Sequence, residues 1–138
     1  MWTHELTVDS PLAPEAIWAV LADMDNWHRW DTSMESVKLQ GPFAVGTRVT
    51  MTPKGQDPIM SVIAEIRENE FYADETDMAD VTLRFSNALT RLPDGGTRIV
   101  HRLEITGPAA DEIGPELGPA ITADFPDAMR ALLAYAAA

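Results

Sequence analysis

The sequence contains no cysteine among its 138 residues. Disulfide bonds, thiolate zinc sites, iron–sulfur clusters and cysteine nucleophiles are therefore excluded. No apolar run approaches the roughly 20 residues that a membrane-spanning helix needs. The first residues also lack the basic and apolar regions of a signal peptide. Together these absences predict a cytoplasmic protein without a membrane span.

Basic residues are scarce as well. The chain has ten Lys and Arg residues but 22 Asp and Glu residues, so its formal net charge is −12. A nucleic-acid partner requires a basic stripe along one face, and an anionic membrane surface attracts basic rather than acidic segments. We therefore expect neither nucleic acid nor a charged membrane as a partner.

Several catalytic motifs are missing. The chain has no Gly-x-Ser-x-Gly nucleophile elbow, and Gly95-Gly96 lies between predicted strands rather than before a phosphate-binding helix. His4, His28 and His101 show no spacing that is typical of a metal site. The sequence thus predicts no metal and no cofactor, and it leaves open whether the protein is an enzyme.

The residues that are present predict one α+β domain over residues 1–138. Hydrophobic residues make up 46% of the chain and charged residues 23%, which is typical of a globular protein. Alternation predicts a strand at 2–8, and a helix follows from Pro14 with a second short helix or turn at 24–34. Short alternating runs over residues 37–106 predict six further strands, and residues 109–138 are rich in helix formers.

The C-terminal helix carries proline signals that divide it. Gly114-Pro115 and Gly118-Pro119 weaken its early part, whereas residues from Ile121 onwards form an apolar stripe. Pro126 lies inside this stripe, and an interior proline costs about 3 kcal/mol. We therefore expect a kink there or a new helix that begins at Phe125.

This order of elements predicts a pocket. A seven-stranded antiparallel sheet curls because its strands twist, and only the long C-terminal helix can cover its concave face. A curved sheet that closes on a helix often leaves an apolar space between them. We expect a small hydrophobic ligand in that space, bound by a monomer or a homodimer.

Four segments in the expected order resemble the START-related helix-grip superfamily (SRPBCC), and most of all its polyketide cyclase/dehydrase and lipid-transport branch. They are the opening at 13–30 with Trp27-His28-Arg29-Trp30, the glycine-marked loop 39–47, the turn and strand 95–101, and the final helix 121–132 with its proline. The resemblance implies a seven-stranded curved antiparallel sheet wrapped on a long C-terminal helix, with two short helices after the first strand.

The resemblance also implies three functions. The first is a binding or carrier protein for a small hydrophobic or amphipathic ligand held between the sheet and the C-terminal helix. The second is a polyketide cyclase, aromatase or dehydratase that uses acid–base chemistry in the same cavity. The third is a protein-interaction module, which would need a large exposed apolar patch.

His101 is the candidate catalytic residue, because the alternation of its strand places it inside with Ile99 and Leu103. It is interpreted either as an acid–base group with Asp124 or Tyr135 as partner, or as a satisfied core histidine. Trp30 and the methionines are likewise interpreted as either core or pocket residues. The candidate ligand-binding residues are Trp30, Met51, Met60, Phe85, His101, Leu103, Phe125 and Met129.

Two charged groups are predicted to be structural. The acidic residues of segment 65–80, among them Asp74, lack the spacing of a calcium loop and are interpreted as a strand edge that discourages pairing. Arg84 and Arg102 are assigned to the solvent face of the sheet.

Overall fold

The computed structural model describes residues 1–138 and consists of seven strands, three α-helices and one 3-10 helix. The strands, numbered in chain order, are β1 (Trp2–Ser10), β2 (Met34–Leu39), β3 (Arg48–Pro53), β4 (Ile59–Arg67), β5 (Phe71–Met78), β6 (Val81–Arg91) and β7 (Thr97–Thr106). The helices are α1 (Pro14–Leu21), the 3-10 helix (Met24–Arg29), α2 (Ala110–Thr122) and α3 (Phe125–Ala137).

The strands form one antiparallel sheet in the order β1-β7-β6-β5-β4-β3-β2. Consecutive strands pair from β2 to β7, and β1 then closes against β7 in continuous register, from Trp2 opposite Ile105 to Ser10 opposite Thr97. The predicted α+β helix-grip fold is confirmed. Since β1 and β2 occupy opposite edges, α1 and the 3-10 helix carry the chain across the open end of the sheet.

A bulge in β4 explains why this strand looks apolar on both faces. The pairing of β4 with β5 shifts between Ile63 and Glu65, so one extra residue reverses the alternation. Ser61 and Ile63 face inward before the bulge, whereas Met60 faces outward and is 49% exposed. The predicted position of Met60 in the ligand pocket is therefore wrong. Side chains alternate along a strand, and that of Met60 lies on the convex outer face of the sheet.

The C-terminal segment contains two helices rather than one long helix. Ala123 keeps helical dihedral angles and the chain leaves helical geometry at Asp124. Of the two predicted outcomes, a kink or a new helix, the second is found, since α3 begins at Phe125 with Pro126 in its first turn. Proline is harmless there because the first amide groups of a helix have no partner within the helix. The segment before Ala123, which contains Pro115 and Pro119, is helical as well. Both prolines lie on the exposed side of α2.

The two glycines of α2 make room for an aromatic ring. Gly114 and Gly118 are buried one helical turn apart, and Trp2 of β1 lies against both of them. A Cβ atom at Gly118 would stand 2.4 Å from the Trp2 ring, and one at Gly114 would stand 2.5 Å from the Trp2 Cβ atom. The glycines therefore allow α2 to approach β1 closely, which a helix with larger side chains at these positions could not do.

The convex face of the sheet carries a network of ion pairs. Arg84 on β6 contacts carboxylates of three other strands, Glu65 at 3.0 Å, Glu75 at 2.8 Å and Glu104 at 3.7 Å. Arg102 on β7 lies 3.0 Å from Glu5 and 3.3 Å from Glu104. Both arginines are on the outer face as predicted, but each is half-buried by its partners.

The acidic segment 65–80 does not form a sheet edge, and that prediction is wrong. Strands β4 and β5, which contain most of it, are interior strands of the sheet. Glu65 and Glu75 point outward to Arg84, whereas Asp74 points inward and is only 3% exposed. The alternation of β5 thus divides these acidic side chains between the two faces.

Two hydrophobic clusters form the core on the concave side. The larger one joins α1, α3 and the inner faces of β2 to β7 around residues such as Ile17, Tyr72 and Met129. The smaller one joins β6, β7 and the starts of α2 and α3 around Leu83, Leu103 and other buried side chains. No helix of the protein has the length and apolar character needed to cross a membrane.

Candidate functional site

A cavity of about 380 Å³ lies between the concave face of the sheet and the helices α2 and α3. Of the 25 residues that line it, 17 are hydrophobic. Both core clusters contribute to its walls, for example through Tyr72 and Met129 from the larger and Leu83 from the smaller. The volume is at the small end of the range for small-molecule sites, and the apolar lining with few polar groups is typical of them.

Six of the eight predicted ligand-binding residues line this cavity: Trp30, Met51, Phe85, His101, Phe125 and Met129. The two others do not. Met60 lies on the outer face, as described above. Leu103 points inward but is fully enclosed by the smaller core cluster, so no part of its side chain reaches the cavity.

Asp74 is the principal site residue whose predicted position is wrong, because it lies on an interior strand and is buried. Its Oδ2 atom accepts a hydrogen bond of 2.8 Å from the hydroxyl group of Tyr72, which is also buried. Its Oδ1 atom has no hydrogen-bond partner in the protein and is open to the cavity. A period of two from Tyr72 through Asp74 to Thr76 was the available signal, since these three residues share the inner face of β5.

Burial raises the pKa of the Asp74 carboxyl to about 6, even though the Tyr72 hydrogen bond and the Arg84 charge act in the opposite direction. Burial, reinforced by the Asp74 charge, also raises the pKa of the Tyr72 phenol. Tyr72 therefore remains a neutral donor at every physiological pH, whereas the Asp74 carboxyl changes charge near neutrality.

A pair of hydroxyl groups extends the polar wall next to Asp74. Ser61 Oγ on β4 and Thr76 Oγ1 on β5 lie 2.6 Å apart, and both residues are buried and line the cavity. Only one proton of the two hydroxyls is used in this bond. The other is available to a molecule in the cavity.

His101 lies on the opposite side of the polar wall, on β7. Its Nδ1 atom is 3.1 Å from Asn87 Oδ1 on the neighbouring strand, and its ring packs 4.2 Å from the Phe125 ring centroid. Burial lowers the pKa of His101 to about 4, despite the opposing effects of the Ser86 backbone and the Asp31 charge. The imidazole is therefore neutral at pH 7. Its hydrogen-bond partner is Asn87 and neither of the two predicted residues, although Asp124 also lines the cavity.

Trp27 and Trp30, the two tryptophans that follow α1, also line the cavity. Trp27 is anchored, because its indole N–H donates to the carbonyl groups of Val20 and Leu21. Its ring stands edge-on to Tyr72, with centroids 5.9 Å apart. The Trp30 indole N–H is buried and has no acceptor. Each of the two indoles packs against the larger core cluster and also lines the cavity.

Asp31, Ser33 and Asp124 are further polar residues of the lining; Ser33 and Asp124 are exposed, whereas Asp31 is half-buried. Partial burial raises the pKa of the Asp124 carboxyl, and the nearby Asp31 charge raises it further. No three His, Asp or Glu side chains of the protein converge in a way that would hold a metal ion.

Comparison with solved structures shows the same fold at low sequence identity. The Zhui aromatase/cyclase from Streptomyces sp. R1128 is 18% identical with a TM-score of 0.76, over 97% of this chain and 92% of that chain. A START superfamily protein from Mycobacterium smegmatis is 13% identical with a TM-score of 0.76, over 97% and 96% of the two chains. Norcoclaurine synthase from Thalictrum flavum is 11% identical with a TM-score of 0.75, over 96% and 84%.

A comparison with curated protein sequences found no match. Among protein families, the one described as polyketide cyclase / dehydrase and lipid transport matches residues 1–137, which is nearly the whole chain. The chain therefore belongs to the polyketide cyclase/dehydrase and lipid-transport family.

Proposed function

We propose that this protein binds or carries a small hydrophobic or amphipathic ligand in the cavity between the sheet and the C-terminal helices. The observation that carries the proposal is the cavity itself, about 380 Å³ with 17 hydrophobic residues among 25. Apolar surface that remains unfilled loses packing contacts, so a protein that keeps such a space has a use for it. The lipid-transport part of the family description supports the same role.

Filling the cavity tests this function. Ala128 on α3 lines the cavity, and Ala128→Trp would place an indole in the ligand's space. We expect the affinity for Nile red, a neutral apolar dye, to fall by about tenfold or more in this variant. The measurement is a fluorescence titration, with circular dichroism to confirm that the variant is folded.

The matched control is Ala134→Trp, because Ala134 is exposed on the same helix and does not line the cavity. It is expected to bind Nile red as the unmodified protein does. A protein that takes up no Nile red, or two variants that bind it equally well, would contradict the proposed function.

A second function, acid–base catalysis on a bound carbonyl compound, is favoured by one observation. The Asp74 carboxyl lies in the cavity beside a neutral phenol donor and has a pKa of about 6. A base whose pKa is near the working pH is the most effective in proton transfer. The hydroxyl proton that the Ser61–Thr76 pair leaves free can donate to a carbonyl oxygen and polarise it. His101, whose pKa is about 4, is the weaker base of the two.

Proton exchange at an activated carbon tests this second function. We expect the protein to accelerate hydrogen–deuterium exchange at the central carbon of benzoylacetone, and Asp74→Asn to remove about 100-fold of this acceleration. His101→Ala is the comparison variant and should retain most of it. Proton NMR measures the exchange. A rate equal to that of buffer, or one that survives Asp74→Asn, would contradict catalysis by this carboxyl.

A further inference from the structure

We propose that the ligand carries a protonated amine on an apolar or aromatic body, and that the ammonium group binds to Asp74. This inference rests on the proposed function, because it names the chemical class of the molecule that the same cavity holds. It goes further in that it assigns the ligand's charge and the residue that recognises it.

The ionisable groups that line the cavity include three carboxyls and no Lys or Arg. They comprise the carboxyls of Asp31, Asp74 and Asp124, together with His101 and the phenol of Tyr72. No Lys or Arg lines the cavity. Arg84 is the cation whose charge acts on Asp74, but its guanidinium is on the convex face among Glu65, Glu75 and Glu104. A carboxylate ligand would therefore meet three like charges and no counter-charge.

The Asp74 carboxyl is buried and only partly compensated by hydrogen bonds. A buried carboxylate is expensive unless a cation or several hydrogen bonds compensate it. Asp74 has one such bond, from Tyr72 to Oδ2, and its Oδ1 atom faces the cavity without a partner. An ammonium group on Oδ1 would form a charge-assisted hydrogen bond and would supply the missing counter-charge inside the cavity.

The surroundings of Asp74 suit the remaining hydrogens of an ammonium group. Ser61 and Thr76 present their hydroxyl oxygens on the same part of the wall, and hydroxyl oxygens accept hydrogen bonds. An ammonium group has three donors and no acceptor, so a carboxylate with neighbouring hydroxyl oxygens matches it. A ligand carboxylate has acceptors only and would find few donors there.

The outer part of the lining favours cations as well. Asp31 is half-buried and Asp124 is exposed, so both carboxyls can be reached from solvent, and the whole chain carries a net charge of −12. An acidic rim on an acidic protein attracts cations and repels anions over several ångströms. Beyond the polar wall, the side chains of Trp27, Phe85, Phe125 and Met129 provide an apolar surface for the rest of the ligand.

A matched series of naphthalene compounds tests the inference: naphthylethylamine, naphthylethanol and naphthylacetic acid. Their bodies are alike and their end groups are cationic, neutral and anionic at about pH 7.5. We expect isothermal titration calorimetry to show the amine binding at least about tenfold more tightly than the acid, with the alcohol between them. In Asp74→Asn, the preference of the protein for the amine over the alcohol should disappear.

Asp77→Asn is the control variant, because Asp77 follows on the same strand, is exposed and does not line the cavity. It should keep the full preference. Asp74→Asn is expected to fold, since the amide oxygen can still accept the Tyr72 hydrogen bond. Circular dichroism checks this.

The outcomes separate the inference from the proposed function. If the acid or the alcohol binds as tightly as the amine, or if Asp74→Asn retains the preference for the amine, the inference is overturned while ligand binding stands. If none of the three compounds binds and Nile red is also excluded, the proposed function fails and the inference fails with it.

Discussion

Asp74→Asn should stabilise the ligand-free protein by about 3 kcal/mol at about pH 8. The pKa of this carboxyl rises from 3.8 to about 6 on folding, because the side chain leaves water for a buried wall. A pKa that is higher in the folded state means that the fold prefers the protonated form. Ionisation of Asp74 therefore costs stability above about pH 6, and the cost disappears as the pH falls through 6 towards 3.8.

An Asn side chain keeps the acceptor for Tyr72 and has no charge to lose. The gain should therefore fall to about half its full value at about pH 5, where Asp74 itself is largely protonated in the folded protein. Urea unfolding of both proteins at the two pH values measures this difference. Asp77→Asn is the control, because its exposed carboxylate bonds only to Thr82 and an amide oxygen can accept the same bond.

A gain that is absent at about pH 8, or equal at both pH values, would show that Asp74 is not a buried carboxylate with a raised pKa. If the gain is found, the protein tolerates a large destabilising group in its own interior. Such a cost is typical of functional sites, where a residue that weakens the fold is kept for what it binds or catalyses.

Gly114→Ala and Gly118→Ala should each destabilise the protein by about 1–3 kcal/mol, although alanine is the better helix former by about 1 kcal/mol. The reason is the position of Trp2, since a Cβ atom at either site would overlap its side chain at 2.5 Å or less. Either the ring or α2 must move, and both movements separate α2 from β1. Thermal and urea unfolding measure the loss.

The control is the same pair of substitutions in a Trp2→Gly background, because the atom nearest to a Cβ at Gly114 is the Trp2 Cβ, which alanine would keep. With the whole Trp2 side chain removed, each new methyl group has space, and the helix propensity of alanine should make the change neutral or stabilising. The double-mutant cycle then isolates the contact between Trp2 and each glycine. Equal losses with and without Trp2 would contradict this explanation and would locate the cost in the helix itself.

Asp74 and the α2 glycines show which features could not be predicted from the sequence pattern. Glycine and proline in residues 109–119 correctly signal a weak intrinsic helix, yet α2 forms because Trp2, more than 100 positions away, fills the groove that its glycines leave. The acidic composition of segment 65–80 predicts that Asp74 faces outward like Glu65 and Glu75. The alternation of β5, which puts Asp74 on the inner face, is the more reliable signal. The bulge in β4 similarly concealed the outward direction of Met60.

The fold could be predicted from the sequence, because alternation, turn residues and the order of elements are local signals and require no knowledge of distant contacts. The same signals placed His101 on the inner face of the last strand and left either a kink or a new helix near Phe125. The polar groups that meet in the cavity could not be predicted in this way. The pairs Tyr72–Asp74, Ser61–Thr76 and Asn87–His101 depend on strand register and on burial, and the charge of a buried carboxyl depends on everything packed around it.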